Sequence, residues 1–281
     1  MSTFATNPML LHFSGVSPSR NTSTVTWTSE QLEDGQVGFR VGRDGADIVA
    51  EFVGLGTLHA HRSGHSSRFE PAHGADPEDV AKVKAGVVPA LLRHLAGKLT
   101  LHGSAVAFGN GAIACVGLSG AGKSTAAAML CSKGGGALLA DDTLAIEFQP
   151  EGVDVHPTER VSWLVGGAEL PTDARTKHPV APHALAGTPT RLAAVCRLIF
   201  DPEAPRRAAP ARLRGHRALA ALLPTVIRFV VDEPDLQVVE AEHLDRLAAC
   251  VPIYELRRRL DESSIAGSIQ HLAALVRAER P

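Results

Sequence analysis

The chain has 281 residues, 44% of them hydrophobic and 21% charged, with a formal net charge of −2 at pH 7. This is the composition of a folded protein with a sizeable core, and a balance so close to neutral gives no general attraction to nucleic acid or to an anionic membrane. Aromatic residues make up only 4%, which argues against base-stacking platforms, and the four cysteines, Cys115, Cys131, Cys196 and Cys250, are too far apart for a metal knuckle or a disulfide framework.

Residues 1–14 lack a basic cluster followed by an apolar run, and no apolar segment reaches about 18 residues, so a cytoplasmic protein without a membrane segment is expected. Residues 1–75 carry short alternating segments separated by Gly and Asp turns, such as Ser23-Thr24-Val25-Thr26-Trp27, Val37-Gly38-Phe39-Arg40-Val41 and Ile48-Val49-Ala50-Glu51-Phe52-Val53. Period-two alternation predicts a small β-rich region. His59 and His61 would share one strand face there, but Gly64 interrupts the pattern before His65, and the nearest carboxylates, Glu51 and Glu70, lie outside it. Solvated histidines, not a metal site, are expected.

A helix start follows at Asp76-Pro77-Glu78-Asp79, with aspartate in the N-cap place, proline at the first helical position and acids in the first turn. Val80, Val83, Val87, Leu91, Leu92 and Leu95 continue at helical spacing, Pro89 should kink or divide the segment, and Gly97 ends it. The helix is expected to cover an edge or face of the domain that follows, with residues 76–281 forming one catalytic unit behind the region 1–75.

Two strands, 99–108 and 112–116, joined by Gly109-Asn110-Gly111, predict a hairpin, with His102 in the middle of the first. The second runs into Gly117-Leu118-Ser119-Gly120-Ala121-Gly122-Lys123-Ser124-Thr125, which satisfies G-x-x-x-x-G-K-[ST]. Helix formers Ala126 to Leu130 come next, and Gly134-Gly135-Gly136 stops them. A phosphate chain is held by backbone N–H groups at a helix N-terminus, where orphan donors and the helix dipole both favour anions. Gly117, Ser119, Gly120, Ala121, Gly122, Lys123, Ser124 and Thr125 are therefore the predicted ATP-binding residues. Lys123 would reach the terminal phosphates, and the Ser124 hydroxyl would enter the shell of a Mg2+ ion.

Ala137-Leu138-Leu139-Ala140 predicts a short strand ending in Asp141-Asp142. A right-handed crossover would make it parallel to the strand before the loop and bring its carboxyl end, with both acids, near the terminal phosphate. Residues 150–190 have little periodicity and predict an extended lid or substrate loop with Arg160, Arg175, Lys177 and His178 as its basic members. A strand over 192–200 precedes a basic patch of Arg206, Arg207, Arg212, Arg214 and Arg217, suited to phosphate or an acidic peptide but equally to a solvated linker. Beyond it, 218–223 predicts helix, 226–231 strand, 243–250 helix and 253–256 strand. A final helix then places Ile265, Ile269, Leu272 and Val276 on one stripe.

Leu101-His102-Gly103-Ser104-Ala105-Val106, the phosphate loop about a dozen residues later and Ala140-Asp141-Asp142 together resemble the bacterial HPr kinase/phosphorylase family. The resemblance is closer still to the shorter HPr-kinase-like proteins encoded with peptide-modification and lasso-peptide genes. It covers roughly residues 99–148. It implies an α/β fold with a P-loop, HPr kinase C-terminal/PEP carboxykinase-like nucleotide-binding core preceded by a small β-rich N-terminal region. It also implies roles by matching position: Asp141 as general base toward a serine hydroxyl, Asp142 at the metal, and His102 assisting the site. The family's glutamate-isoleucine-arginine-glycine signature has no counterpart, so neither phosphorylase activity nor HPr as acceptor is implied.

The expected function is an ATP-dependent kinase acting on a hydroxyl, most simply a serine of a peptide or small protein. ATP and Mg2+ would be its cofactors, nucleic acid and membrane are not among its expected partners, and self-association is compatible with it. A nucleotide-dependent ATPase switch or scaffold and a small-molecule kinase are the alternatives.

Overall fold

The computed structural model describes residues 25–33, 36–109, 111–158, 162–165, 177–206, 208–229, 233–259 and 261–278. Arg160, Arg175 and Arg207, and the side chains of Lys177 and His178, lie outside the described residues. The described residues divide into two compact units: 25–99 together with Ile227–Glu242, and Thr100–Val226 together with 243–278.

The first unit is built on five antiparallel strands in sequence order: β1 (Thr26–Glu33), β2 (Gln36–Asp44), β3 (Asp47–Phe52), β4 (Gly56–His61) and β5 (Ser67–Pro71). Alternation decides its inner face. Phe39, Val41, Ile48, Ala50, Phe52, Leu58 and Ala60 are buried, while His59 and His61 on the opposite face of β4 are exposed. The His61 ring shares a hydrogen bond with the Ser63 hydroxyl at 2.7 Å.

Two helices belong to this unit, α1 (Pro77–Ala85) and α2 (Val87–Leu95). Asp76 caps the first, its carboxylate accepting from the Glu78 N–H at 2.7 Å. The break falls at Gly86, three residues before Pro89, because a prolyl ring clashes with the carbonyl one turn back and supplies no N–H for it. The α2 residues Val87, Val88, Ala90, Leu91 and Leu95 join the same core as Phe39 and Phe52. The compact division falls at Leu99/Thr100, and α2 packs its apolar face on the five-stranded sheet.

The second unit contains a seven-stranded mixed sheet. Its strands are β6 (Thr100–Phe108), β7 (Gly111–Val116), β8 (Ala137–Gln149), β9 (Gly152–His156), β12 (Thr190–Phe200), β13 (Ala211–Leu213) and β14 (Ile253–Arg258), in the order β13-β14-β12-β7-β6-β8-β9. Between β9 and β12 in the chain, β10 (Ser162–Val165) and β11 (Lys177–Val180) pair as a separate antiparallel ribbon inside the segment expected to be a loop. Strands β7, β12 and β14 run parallel. The first two residues of β12 also pair with β9, so five of the strands close on themselves at one end.

Helices α3 (Lys123–Ser132) and α6 (Glu262–Ala278) pack on one face. Ala126, Ala127 and Leu130 of α3, with Ile269, Leu272 and Val276 of α6, share a core with Ile113, Cys115, Cys196 and Leu256. The smaller α4 (His216–Leu222) leads into a 3-10 turn, Leu223–Thr225, after which Val226 makes only an isolated bridge to Leu101, so no strand starts there among the described residues. Helix α5 (Pro234–Cys250) is about twice as long as the apolar pattern of 243–250 indicated, and its residues up to Glu242 belong to the other unit.

The short strand expected to end at Asp141-Asp142 is the start of a single thirteen-residue strand, β8, with both acids inside it. It runs in the same direction as β7, as the crossover requires, but β6 lies between them and is antiparallel to both.

Candidate functional site: the glycine loop and the paired acids

Strand β7 is buried along its whole length and ends at Val116. Gly117 then turns the chain at φ 143°, Leu118, Ser119 and Gly120 are exposed, and Gly122 stands before α3 at φ 82°, ψ 30°. Backbone of that kind is strained for any residue with a Cβ, which is why glycine holds these two places. The Ala121 N–H closes the turn on the Leu118 carbonyl at 3.2 Å, and the Ala126 N–H makes the first helical bond to the Gly122 carbonyl at 2.9 Å.

The first turn of α3 has no side-chain cap and no acidic residue. Its N–H groups carry the positive end of the helix dipole. Lys123 adds a full charge: it is buried, 6% exposed, and its Nζ donates to the carbonyls of Gly117 and Leu118, both at 3.0 Å. Ser124 is buried beside it, while Ser119 and Thr125 are exposed.

The sheet register fixes where the acids stand. Cys115, Ser104 and Asp141 form one row across β7, β6 and β8, and Val116, Gly103 and Asp142 form the next. With strands ~4.8 Å apart, the Asp142 backbone lies about 10 Å from the residue that enters the loop. Asp141 is fully buried and accepts a 2.5 Å hydrogen bond from the Ser104 hydroxyl. Asp142 is partly exposed and, among the described residues, is the one non-glycine with positive φ, 78°. His102 is 3% exposed, sits opposite Thr143, and its Nδ1 lies 3.1 Å from the Asp142 carbonyl oxygen. His102 therefore braces the backbone at the point where β8 departs from extended geometry.

The sequence reading missed Arg258. This last residue of β14 has no exposed surface, and its Nη2 donates to the carbonyls of Gly122 at 2.9 Å and Ala121 at 3.4 Å. Burial lowers its pKa from the ordinary arginine value, opposed by the nearby thiols of Cys115 and Cys196. The same burial pushes the Cys115 thiol up to about 12, against the pull of Arg258 and Lys123. A signal existed: β14 alternates, so Arg258 shares a face with buried Leu256 while Arg257 faces out.

The remaining basic residues stand apart. Arg206, Arg212, Arg214 and Arg217 are exposed. Arg212 belongs to the row Arg212, Tyr254, Cys196, Cys115, Ser104, Asp141, five strand spacings or about 24 Å of sheet from the acid. No group of three or more metal-ligating side chains occurs among the described residues, His59 and His61 included. No helix among them is long and apolar enough to cross a membrane.

No family model and no curated protein matches the chain. Among solved structures it is similar to the Hpr(Ser) kinase/phosphatase from Coxiella burnetii, with 9% identity over 64% of this chain and 94% of that one and a TM-score of 0.35. At that level the functional reading rests on the residues of the loop and the acid pair, not on the likeness.

Proposed function

We propose that the chain binds ATP with its phosphates in the loop 117–125 and transfers the terminal phosphoryl group to a hydroxyl. One observation carries the reading: a G-x-x-x-x-G-K-S sequence stands between a buried strand and an uncapped helix N-terminus, with the lysine ammonium folded onto the loop's own carbonyls. Such a terminus binds anions through backbone N–H groups. Lys123 would exchange two carbonyl acceptors for phosphate oxygens, which are charged and so accept more strongly.

Phosphoryl transfer asks the protein mainly for positioning and charge neutralisation. Gly117, Ser119, Gly120, Ala121, Gly122 and Thr125 would line the phosphate chain, and Lys123 would supply the cation. The Ser124 hydroxyl and the Asp142 carboxylate are hard oxygen donors of the kind Mg2+ takes alongside phosphates. When bound, the ion would offset phosphate charge. The motif likeness assigns Asp141, oriented by Ser104, to align the acceptor hydroxyl and take its proton; its carboxylate has no exposed surface, so that contact requires the residues over β8 to move aside when the acceptor binds, with His102 holding the Asp142 backbone in place.

The motif likeness to HPr-kinase-like proteins of peptide-modification clusters favours serine of a peptide or small protein as acceptor. The test is incubation with ATP, Mg2+ and serine-containing peptides, with free phosphate measured alongside, for the parent and Lys123→Ala. Acceptor phosphorylation by the parent, reduced at least about a hundredfold in the variant, is expected from loss of the charge-assisted contacts. Release of free phosphate with no labelled acceptor would identify an ATPase switch instead. Unchanged turnover in Lys123→Ala would remove the loop from the reaction.

A further inference from the structure

We propose that Arg258 is a positioning residue of the phosphate loop, a buried guanidinium that aims the loop's N–H groups outward and whose charge is balanced by the bound polyphosphate. The inference rests on the nucleotide reading of the same loop and adds to it a residue from a strand 136 positions away from Gly122 in sequence.

Three observations meet at this side chain. First, Arg258 has no exposed surface, and its Nε and Nη1 have no hydrogen-bond partner among the described residues. Its neighbours contrast with it: Arg257 is paired with Glu255 and Asp201, and Arg259 donates to the Ala204 carbonyl. An arginine stays protonated when buried, so its charge must be met by an anion or remain a cost to the fold. The groups nearest it in charge, Cys115 and Cys196, are thiols that burial keeps neutral.

Second, the two acceptors it does hold are the carbonyls of Ala121 and Gly122, the last two peptide units before α3. In a trans peptide the C=O and the following N–H point in opposite directions. Drawing both carbonyls inward to the guanidinium therefore turns the N–H groups of Gly122 and Lys123 outward, the orientation anion binding at a helix N-terminus needs. Third, the parallel run of β7, β12 and β14 places the carboxyl end of β14 beside the carboxyl ends that open on the loop, where ligands of parallel sheets bind. Arg258 is inaccessible and does not touch the phosphates; it acts through the loop backbone and through its field, which a low-dielectric surrounding leaves largely unscreened.

A residue that only braced the fold would show its loss in the ligand-free protein. The present assignment gives the opposite sign, because exchanging an uncompensated buried charge for an apolar side chain of similar size is neutral or stabilising. Arg258→Met should melt at or above the parent temperature without nucleotide, while its Kd for MgATP by calorimetry rises about tenfold to a hundredfold, the loss expected for hydrogen bonds to a charged group. Arg258→Lys keeps the charge but cannot reach two carbonyls with a planar fork, so a smaller loss, about threefold to tenfold, is expected.

A Kd within about twofold of the parent for Arg258→Met, with a lowered melting temperature, would reduce Arg258 to a structural brace and overturn the proposal. Should the Met variant not fold, the Lys variant decides by the same criterion: a parental Kd overturns it. A parent that binds no MgATP at all would instead overturn the nucleotide reading itself, and this inference with it.

Discussion

Replacing Gly117 by alanine should be more damaging than the same change at Gly120, and the structure gives its size. A Cβ at Gly117 would stand 2.5 Å from the Leu198 carbonyl oxygen, at a backbone φ of 143° that side chains rarely adopt. The conformational part costs about 1–3 kcal/mol. The overlap costs roughly as much again, about 1–3 kcal/mol for a methyl forced into a filled space. Leu198 cannot yield easily, since it is buried in mid-strand and paired with Leu256 on β14.

Gly120 is the internal control: its φ is 79°, but a Cβ there meets nothing within 4 Å. Gly120→Ala should therefore show the conformational cost alone, and the difference between the two variants should isolate the clash. Urea unfolding of both variants against the parent measures it. Gly117→Ala is expected to lose about 2–6 kcal/mol, a large share of the ~5–15 kcal/mol that holds a domain, and Gly120→Ala about 1–3 kcal/mol. Equal losses in the two variants would refute the contact between the loop entrance and β12, and with it the reason given for glycine at 117.

Asp141→Asn should leave MgATP affinity within about threefold and lower phosphoryl transfer by about a hundredfold or more, since a base acts on the transition state. If Asp142→Asn shows that pattern and Asp141→Asn instead loses binding, the two carboxylates exchange roles. The cysteines give a pH test. The folded pKa values of Cys115, about 12, and Cys131, about 11, both lie above the ordinary 9.0, so their contribution to stability is complete below pH 9 and is lost as pH rises through the folded values. At pH 8 the Cys115 thiolate fraction is on the order of 10⁻⁴, so a thiol reagent followed by peptide mapping should label exposed Cys250 alone in the native protein. Rapid native labelling of Cys115 would show that the region under the loop is open.

Signals carried within a few residues were legible in the sequence. The glycine-lysine loop between a strand and a helix, the Asp76 cap, the division of the helix ahead of Pro89 and the stripe Ile265, Ile269, Leu272 and Val276 all follow from local backbone chemistry or from one helix's periodicity. The apolar alternation of residues 37–53 likewise fixed a β-rich first region. Neighbouring residues in the chain impose these features wherever the chain goes.

Pairings between distant segments were decided only by the tertiary structure. Nothing local shows that β6 inserts between β7 and β8, yet that insertion sets Ser104 against Asp141 and makes one long strand of what looked like a strand end. The allegiance of α2 was equally hidden, because its apolar stripe specifies that a face is buried but not which sheet buries it. Arg257, Arg258 and Arg259 are the same residue type three times in a row, yet the first is exposed and the second fully buried. Alternation sets Arg257 and Arg258 on opposite faces and puts Arg258 with Leu256, but only the pairing of β14 with β12 brings that face beneath the loop, because a strand's partner decides where its inner face lies.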